Sequence, residues 1–263
     1  MIIAVVNHKG GVAKTATVSA LGYLLSSSGA KTLMLDLDTQ ANLTYSVLDM
    51  EANTPNRFIF DAIQERKNLP QVAVSENLYL SPSGLEMTLI ESQMQSYRRR
   101  EYVLKDLLAD VRRRYDFIVL DCPPSLNLLT TNALAACDRV LVPMQVDQLS
   151  YYGLKMLKAY IESINDINRG LQIDDILFTF YDKRERLTRQ CEAQIREEFG
   201  DKVLRSTIRR AVKVKESIAN HCSVVKYDAA SPVSQDYLNF ANELMERLTN
   251  TFDKDDLNKV ETF

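Results

Sequence analysis

The 263-residue sequence predicts an α/β fold: a mostly parallel, twisted β-sheet with helices on both faces. Three observations predict it. Short, nearly continuous apolar runs alternate with stretches of helical periodicity along the whole chain, the pattern of strands buried on both faces and joined by crossover helices. The segments richest in chemistry directly follow three of those runs, after Asn7, Asp36 and Leu120. That is the carboxyl edge of the strands, where open α/β sheets bind ligands. The composition, 46% apolar and 25% charged, suits one large globular domain with a sizeable core.

Residues 2–7 form a β-rich run ending in a glycine loop. Residues 15–28 read as a helix with Val18, Leu21, Leu24 and Leu25 on one face, stopped by Gly29. Strands follow at 31–36, 75–81 (shorter and weaker), 116–121, 139–144, 175–180 and near 203–206. Helical periodicity covers 87–97, 101–115, 127–136, 152–165, 188–199 and 231–251. Residues 1–251 are therefore read as a single domain, and the polar stretch 252–263 as a flexible tail.

The loop HKGGVAKT, residues 8–15, carries the first chemistry. Gly10 and Gly11 allow a tight bend that points backbone N–H groups inward, and the following helix adds its positive N-terminal end. Lys14 brings a full charge to bound phosphates, and the Thr15 hydroxyl is placed for Mg²⁺. The strict pattern G-x-x-x-x-G-K-[ST] is broken, because His8 and Ala13 stand at its glycine positions. Two carboxylates at strand ends compensate: Asp121, followed by Cys-Pro-Pro and able to hold Mg²⁺ through water, and Asp38, on the γ-phosphate side. Alanine at position 13 predicts φ < 0 there, since a left-handed alanine costs roughly 1 kcal/mol or more.

With these residues in register, the sequence resembles the ParA/MinD group of deviant-Walker-A P-loop ATPases, and within it the ParA-type partition proteins. KGGVAKT resembles the family's KGGVGKT, DLDTQAN (36–42) its DLDPQGN, and YDFIVLDCPPSL (115–126) its Walker B region. The segments LFTFYDKRERLTRQ and IRRAVKVKESIANHCSVVKYDAASPVSQDYL resemble its carboxyl-terminal third. The resemblance implies an ATPase using ATP and Mg²⁺. Lys14 would be the P-loop lysine, and Thr15 and Asp121 the metal site. Lys9 would be the signature lysine that reaches the nucleotide of a partner subunit, and Asp38 the residue that activates water. Gly10, Gly11, Val12, Ala13 and Ala16 would complete the nucleotide-binding run. Asp36 has two open readings, metal ligand or strand-end structural carboxylate. Thr39 replaces the family's proline, which loosens the switch after Asp38.

The net charge is −3, yet RSTIRRAVKVK (205–215) holds five basic residues and no acidic one. Composition alone reads this as a solvated face; the resemblance implies nonspecific DNA binding through the pool Arg184, Arg186, Arg189, Arg209, Arg210, Lys213 and Lys215. The triplets at 98–100 and 112–114 are interleaved with acidic neighbours and read as surface charge. The implied partners are a second copy in the ATP state, DNA, and a ParB-type centromere-binding protein. No membrane is expected, and the implied location is cytoplasmic and nucleoid-associated. The alternatives are a membrane-associated MinD-like ATPase, disfavoured by the acidic end, an iron–sulfur reductase using Cys122 and Cys137, and a metabolic P-loop enzyme. The four cysteines lack C-x-x-C spacing, which leaves no zinc or disulfide framework.

Overall fold

The computed structural model describes residues 1–52 and 54–251. The predicted tail, 252–263, lies outside the described residues.

Among the described residues, eight strands make one sheet: β1 (Ile2–Val5), β2 (Thr32–Asp36), β3 (Val72–Ser75), β4 (Leu78–Ser81), β5 (Phe117–Asp121), β6 (Arg139–Met144), β7 (Asp175–Thr179) and β8 (Val203–Ile208). Their order across the sheet is β3-β4-β2-β5-β1-β6-β7-β8. Every neighbouring pair is parallel except β3 with β4. The single strand expected at 75–81 is thus a tight antiparallel hairpin, turned at Asn77 with φ +59°. Asparagine adopts the left-handed region at low cost, which is why the turn sits there.

The helices are α1 (Lys14–Ser27), α2 (Asn42–Val47), α3 (Ile59–Glu65), α4 (Met87–Met94), α5 (Val103–Ala109), α6 (Leu128–Ala136), α7 (Gln148–Ser163), α8 (Arg186–Phe199), α9 (Lys213–Ala219), α10 (Val224–Tyr227) and α11 (Pro232–Thr251). The long helix expected over 101–115 is shorter, with a 3₁₀ turn on each side of α5. Asn127, Asp147 and Ser223 accept from the third amide of α6, α7 and α10, so side-chain caps set those starts.

Alternation along the strands divides the core. Ile2, Ala4, Leu33, Leu35, Ile118 and Leu120 face the layer containing α3 to α8. Ile3, Val5, Met34, Val119 and Leu141 face α1, α2, α10 and α11, where Tyr237 and Phe240 are fully buried. Each fully buried Val, Leu, Ile, Phe or Met among them stabilises the fold by about 1.5–3 kcal/mol. β8 is an outermost strand whose pairing with β7 is interrupted by a bulge. There Glu243 of α11 accepts the N–H groups of Arg205 (2.8 Å) and Ser206 (2.7 Å).

The consequence for the site lies in the order β2-β5-β1. Asp36 pairs with Asp121, and Val5 pairs with Asp121 from the other side. The glycine loop and both strand-end aspartates therefore emerge side by side at one edge.

Candidate nucleotide site

The loop between β1 and α1 is held from behind. Asn7 donates to the Pro143 carbonyl (2.8 Å) and accepts from Lys9 N (2.9 Å). Thr179 Oγ1 donates to the Val12 carbonyl (3.1 Å), and Gln145 Nε2 to that of Gly11 (3.3 Å). With these carbonyls tied to β7 and to the residue that follows β6, the loop's amide donors are left for a ligand. A Cβ added at Gly10 or Gly11 would meet nothing within 4 Å.

Ala13 does not follow the sequence expectation. Its φ is +64°, left-handed, as is that of Gly11 at +71°. The loop is nonetheless formed: the Ala13 carbonyl accepts Thr17 N at 2.9 Å and opens α1. The loop path dictates the backbone here, at a cost of about 1–2 kcal/mol for a residue with a Cβ.

Lys14 is 7% exposed, and its Nζ donates to the Lys9 carbonyl (3.2 Å). Burial pulls its pKa down, while nearby Asp121, Cys122 and Asp38 oppose the shift. Thr15 Oγ1 donates to Asp121 Oδ2 at 2.7 Å. The other oxygen, Oδ1, is buried with no hydrogen-bond partner among the described residues. Burial, then the neighbouring Asp36 charge, pushes Asp121 well above the ordinary carboxylate range. A buried, orphaned carboxylate oxygen beside a threonine hydroxyl is a donor set that fits a hard divalent cation.

Asp36 is occupied otherwise. Its Oδ1 accepts Asp38 N (3.1 Å), and its Oδ2 accepts both Thr44 N (2.8 Å) and Thr44 Oγ1 (2.7 Å). Of its two open readings, these bonds favour the structural carboxylate. Burial raises its pKa to about 7. Asp38 is 6% exposed, and its Oδ1 accepts Gln40 N (3.0 Å).

Lys9 goes to a different element. Its Nζ donates to Asp147 Oδ2 and Ser150 Oγ, each at 3.0 Å, at the start of α7. His8 packs on the same helix: a Cβ at Gly153 would lie 2.2 Å from the imidazole. Burial, then Lys14 and Lys9, lower the His8 pKa. Sequence reading missed Asp147, Ser150 and Gly153 as partners of the loop, because they lie more than 130 positions away. The one local signal, Asp147 as a helix cap with Ser150 three residues on, marks only a helix start.

The basic pool also sits at this edge, on the segments that leave β7 and β8. Several members are already paired. Arg209 Nε and Nη2 donate to Asp236 of α11 (2.6 and 2.9 Å), Arg184 pairs with Asp182, and Lys213 with Glu216 (2.9 Å). The sequence stretch without carboxylates is thus neutralised in part from elsewhere. Arg210 lies over the Phe180 ring at 5.0 Å. Exposed Arg186, Arg189 and Lys215 make no ion pair among the described residues. Cys122 and Cys137 are both buried, and no metal-ligating group of three His, Cys, Asp or Glu occurs among the described residues.

Comparison with known proteins decides the family. Residues 1–173 match the family model described as an AAA domain. The chromosome partitioning protein ParA of Caulobacter vibrioides is 34% identical over 94% of this chain and 94% of its own length. The chromosome-partitioning ATPase Soj of Treponema pallidum is 33% identical over 92% of this chain and 96% of its own. The chain belongs to the ParA-type partition ATPases. Among solved structures, a putative plasmid partition protein from Borrelia burgdorferi bound to AMPPNP superposes with TM-score 0.81 at 26% identity, covering 94% of this chain and 98% of that one. A cobyrinic acid a,c-diamide synthase from Mycobacterium smegmatis, with bound ATP analogue and magnesium, gives 0.78 at 30% identity over 100% and 98%. The eight-stranded sheet is the P-loop fold of this ParA-type family, with the glycine loop at its carboxyl edge. No helix among the described residues is long and apolar enough to cross a membrane.

Proposed function

We propose that this ParA-type ATPase is an ATP-dependent switch for DNA segregation. It dimerises with ATP and Mg²⁺, binds DNA without sequence preference, and is released by slow hydrolysis that a ParB-type centromere-binding partner stimulates. The observation that carries this reading is the separation of the loop's two lysines. Lys14 is buried beside Asp121 and Asp38, whereas Lys9 is one-third exposed and rests on Asp147 at the surface. A surface-held lysine is available to a partner subunit's phosphates, which would tie dimerisation to nucleotide state.

In this mechanism the amides of residues 10–16 and the Lys14 ammonium bind and orient the phosphates. Thr15 and Asp121 would hold Mg²⁺, which supplies charge neutralisation at the phosphate oxygens. Asp38 orients the attacking water and accepts its proton. Thr179 supports the close placement of loop and basic face, because it ends β7, leads into the basic segments and bonds to Val12. Arg186, Arg189, Arg210 and Lys215 supply phosphate contacts, and nucleoid association follows from them.

The deciding experiment measures binding of a random-sequence duplex with ATP, ADP or no nucleotide, on the parent and on Lys9→Ala. ATP-dependent, salt-sensitive binding that Lys9→Ala abolishes is the expected result. Binding indifferent to nucleotide overturns the switch.

A further inference from the structure

Asp38 is fixed by a closed ring of buried hydrogen bonds. Asp36 Oδ1 accepts Asp38 N (3.1 Å), and Asp36 Oδ2 accepts Thr44 N and Thr44 Oγ1 (2.8 and 2.7 Å). Thr44 Oγ1 in turn accepts Ser83 N (2.9 Å), and Ser83 Oγ donates to the Asp38 carbonyl (2.9 Å). All four residues are buried: Asp36 and Thr44 are 0% exposed, Ser83 1% and Asp38 6%. The ring joins three places in the chain, the end of β2, the first turns of α2 and the segment leaving β4.

Two features give the ring a purpose beyond ordinary polar satisfaction. First, it closes on both backbone groups of Asp38, so the peptide on each side of that residue is fixed while its carboxylate stays at the ligand edge. Second, it is anchored where the metal-site aspartate stands. Asp36 is in register with Asp121, and Leu37 N donates to the Asp121 carbonyl at 3.0 Å. Ala41, before α2, offers no side-chain cap and has φ +51°. Asp36 takes that capping role through Thr44 N, so the helix start and the Asp38 backbone share one carboxylate. Buried networks of this kind are rigid when every member is satisfied.

We infer that Thr44 and Ser83 are positioning residues for ATP hydrolysis, holding the Asp38 backbone so that its carboxylate meets the attacking water beside Asp121. The inference rests on the water-activating role of Asp38 proposed above. Displacing a catalytic group by about 1 Å costs up to about a hundredfold in rate. Loss of either hydroxyl therefore lowers turnover while the loop, which binds the phosphates, is untouched.

The test compares Ser83→Ala, Thr44→Val, Thr44→Ser and Asp38→Ala by kcat and KM for ATP, by ATP affinity and by thermal unfolding. Ser83→Ala and Thr44→Val are expected to lower kcat by about tenfold or more, with KM and ATP affinity within about twofold of the parent. Thr44→Ser, which keeps the hydroxyl, is expected to restore kcat. The inference is overturned if Ser83→Ala keeps the parental kcat, or if Thr44→Ser is as slow as Thr44→Val. If Thr44→Val does not fold, Ser83→Ala decides alone. Full hydrolysis by Asp38→Ala refutes the Asp38 role itself, a different failure from parental turnover in Ser83→Ala beside an inactive Asp38→Ala.

Discussion

Around the glycine loop, charge is buried and fixed to its surroundings. Lys14 bonds to a loop carbonyl, Asp36 to three donors, and Asp121 to Thr15. On the basic segments of the same edge, charge is solvent-facing and divided. Arg209 is locked to Asp236, while Arg186, Arg189 and Lys215 extend without ion partners among the described residues. Under the proposed function, the difference separates two ways of handling a phosphate. A preorganised site selects one ligand geometry, whereas a set of hydrated arginines tolerates any backbone that brings enough negative charge.

The largest effect is expected at Lys14. Lys14→Ala should lower kcat/KM for ATP by about 10²–10³-fold and remove the thermal stabilisation that ATP gives the parent. A loss of tenfold or less in steady-state assays would mean the loop amides do the binding without it. Next comes the open half of the basic face. Combined Arg186→Ala, Arg189→Ala and Lys215→Ala should weaken DNA binding, with the salt slope falling by about one per lost phosphate contact. An unchanged salt slope would mean that these three residues do not meet phosphates.

Arg209→Ala should act on stability instead, costing about 1 kcal/mol in urea unfolding, because it strips a partly buried carboxylate of its partner. If it abolishes DNA binding while the unfolding midpoint stays put, Arg209 belongs with the open residues. Ala13→Gly should raise stability by about 1 kcal/mol, since glycine adopts the observed left-handed backbone freely. A destabilised glycine variant would show that the alanine is not strained. The smallest effect concerns pH. The His8 pKa lies below its ordinary 6.5 in the folded chain, so the unfolded chain binds the proton first as pH falls. Stability should decline from about pH 6.5 downward, and His8→Gln should flatten that part of the melting-temperature profile.

The placement of the strand-end residues was legible because it is local. An apolar run that stops at an aspartate places that residue at the sheet edge wherever the strand pairs, as at Asp36 and Asp121, and Asp38 and the glycine loop follow within a few residues of such ends. Helix bounds over 87–94, 128–136 and 232–251 were likewise close to expectation, because their apolar periodicity is strong. What failed was set by the fold. The sign of φ at Ala13 comes from the loop path, not from alanine's own preference. The Lys9–Asp147 and Arg209–Asp236 pairs join residues 138 and 27 positions apart. The short α2, α9 and α10 carry too few turns to print a period, and the β3–β4 hairpin was hidden inside one weak apolar run.

Glu243 has a consequence for association between copies. An outer strand normally offers a ladder of donors on which a neighbouring molecule can template itself. The amides of Arg205 and Ser206 on β8, and of Arg209 just beyond it, are consumed by Glu243 and Asp236 of α11. At those positions the flank keeps no backbone donor on which a neighbouring strand could grow.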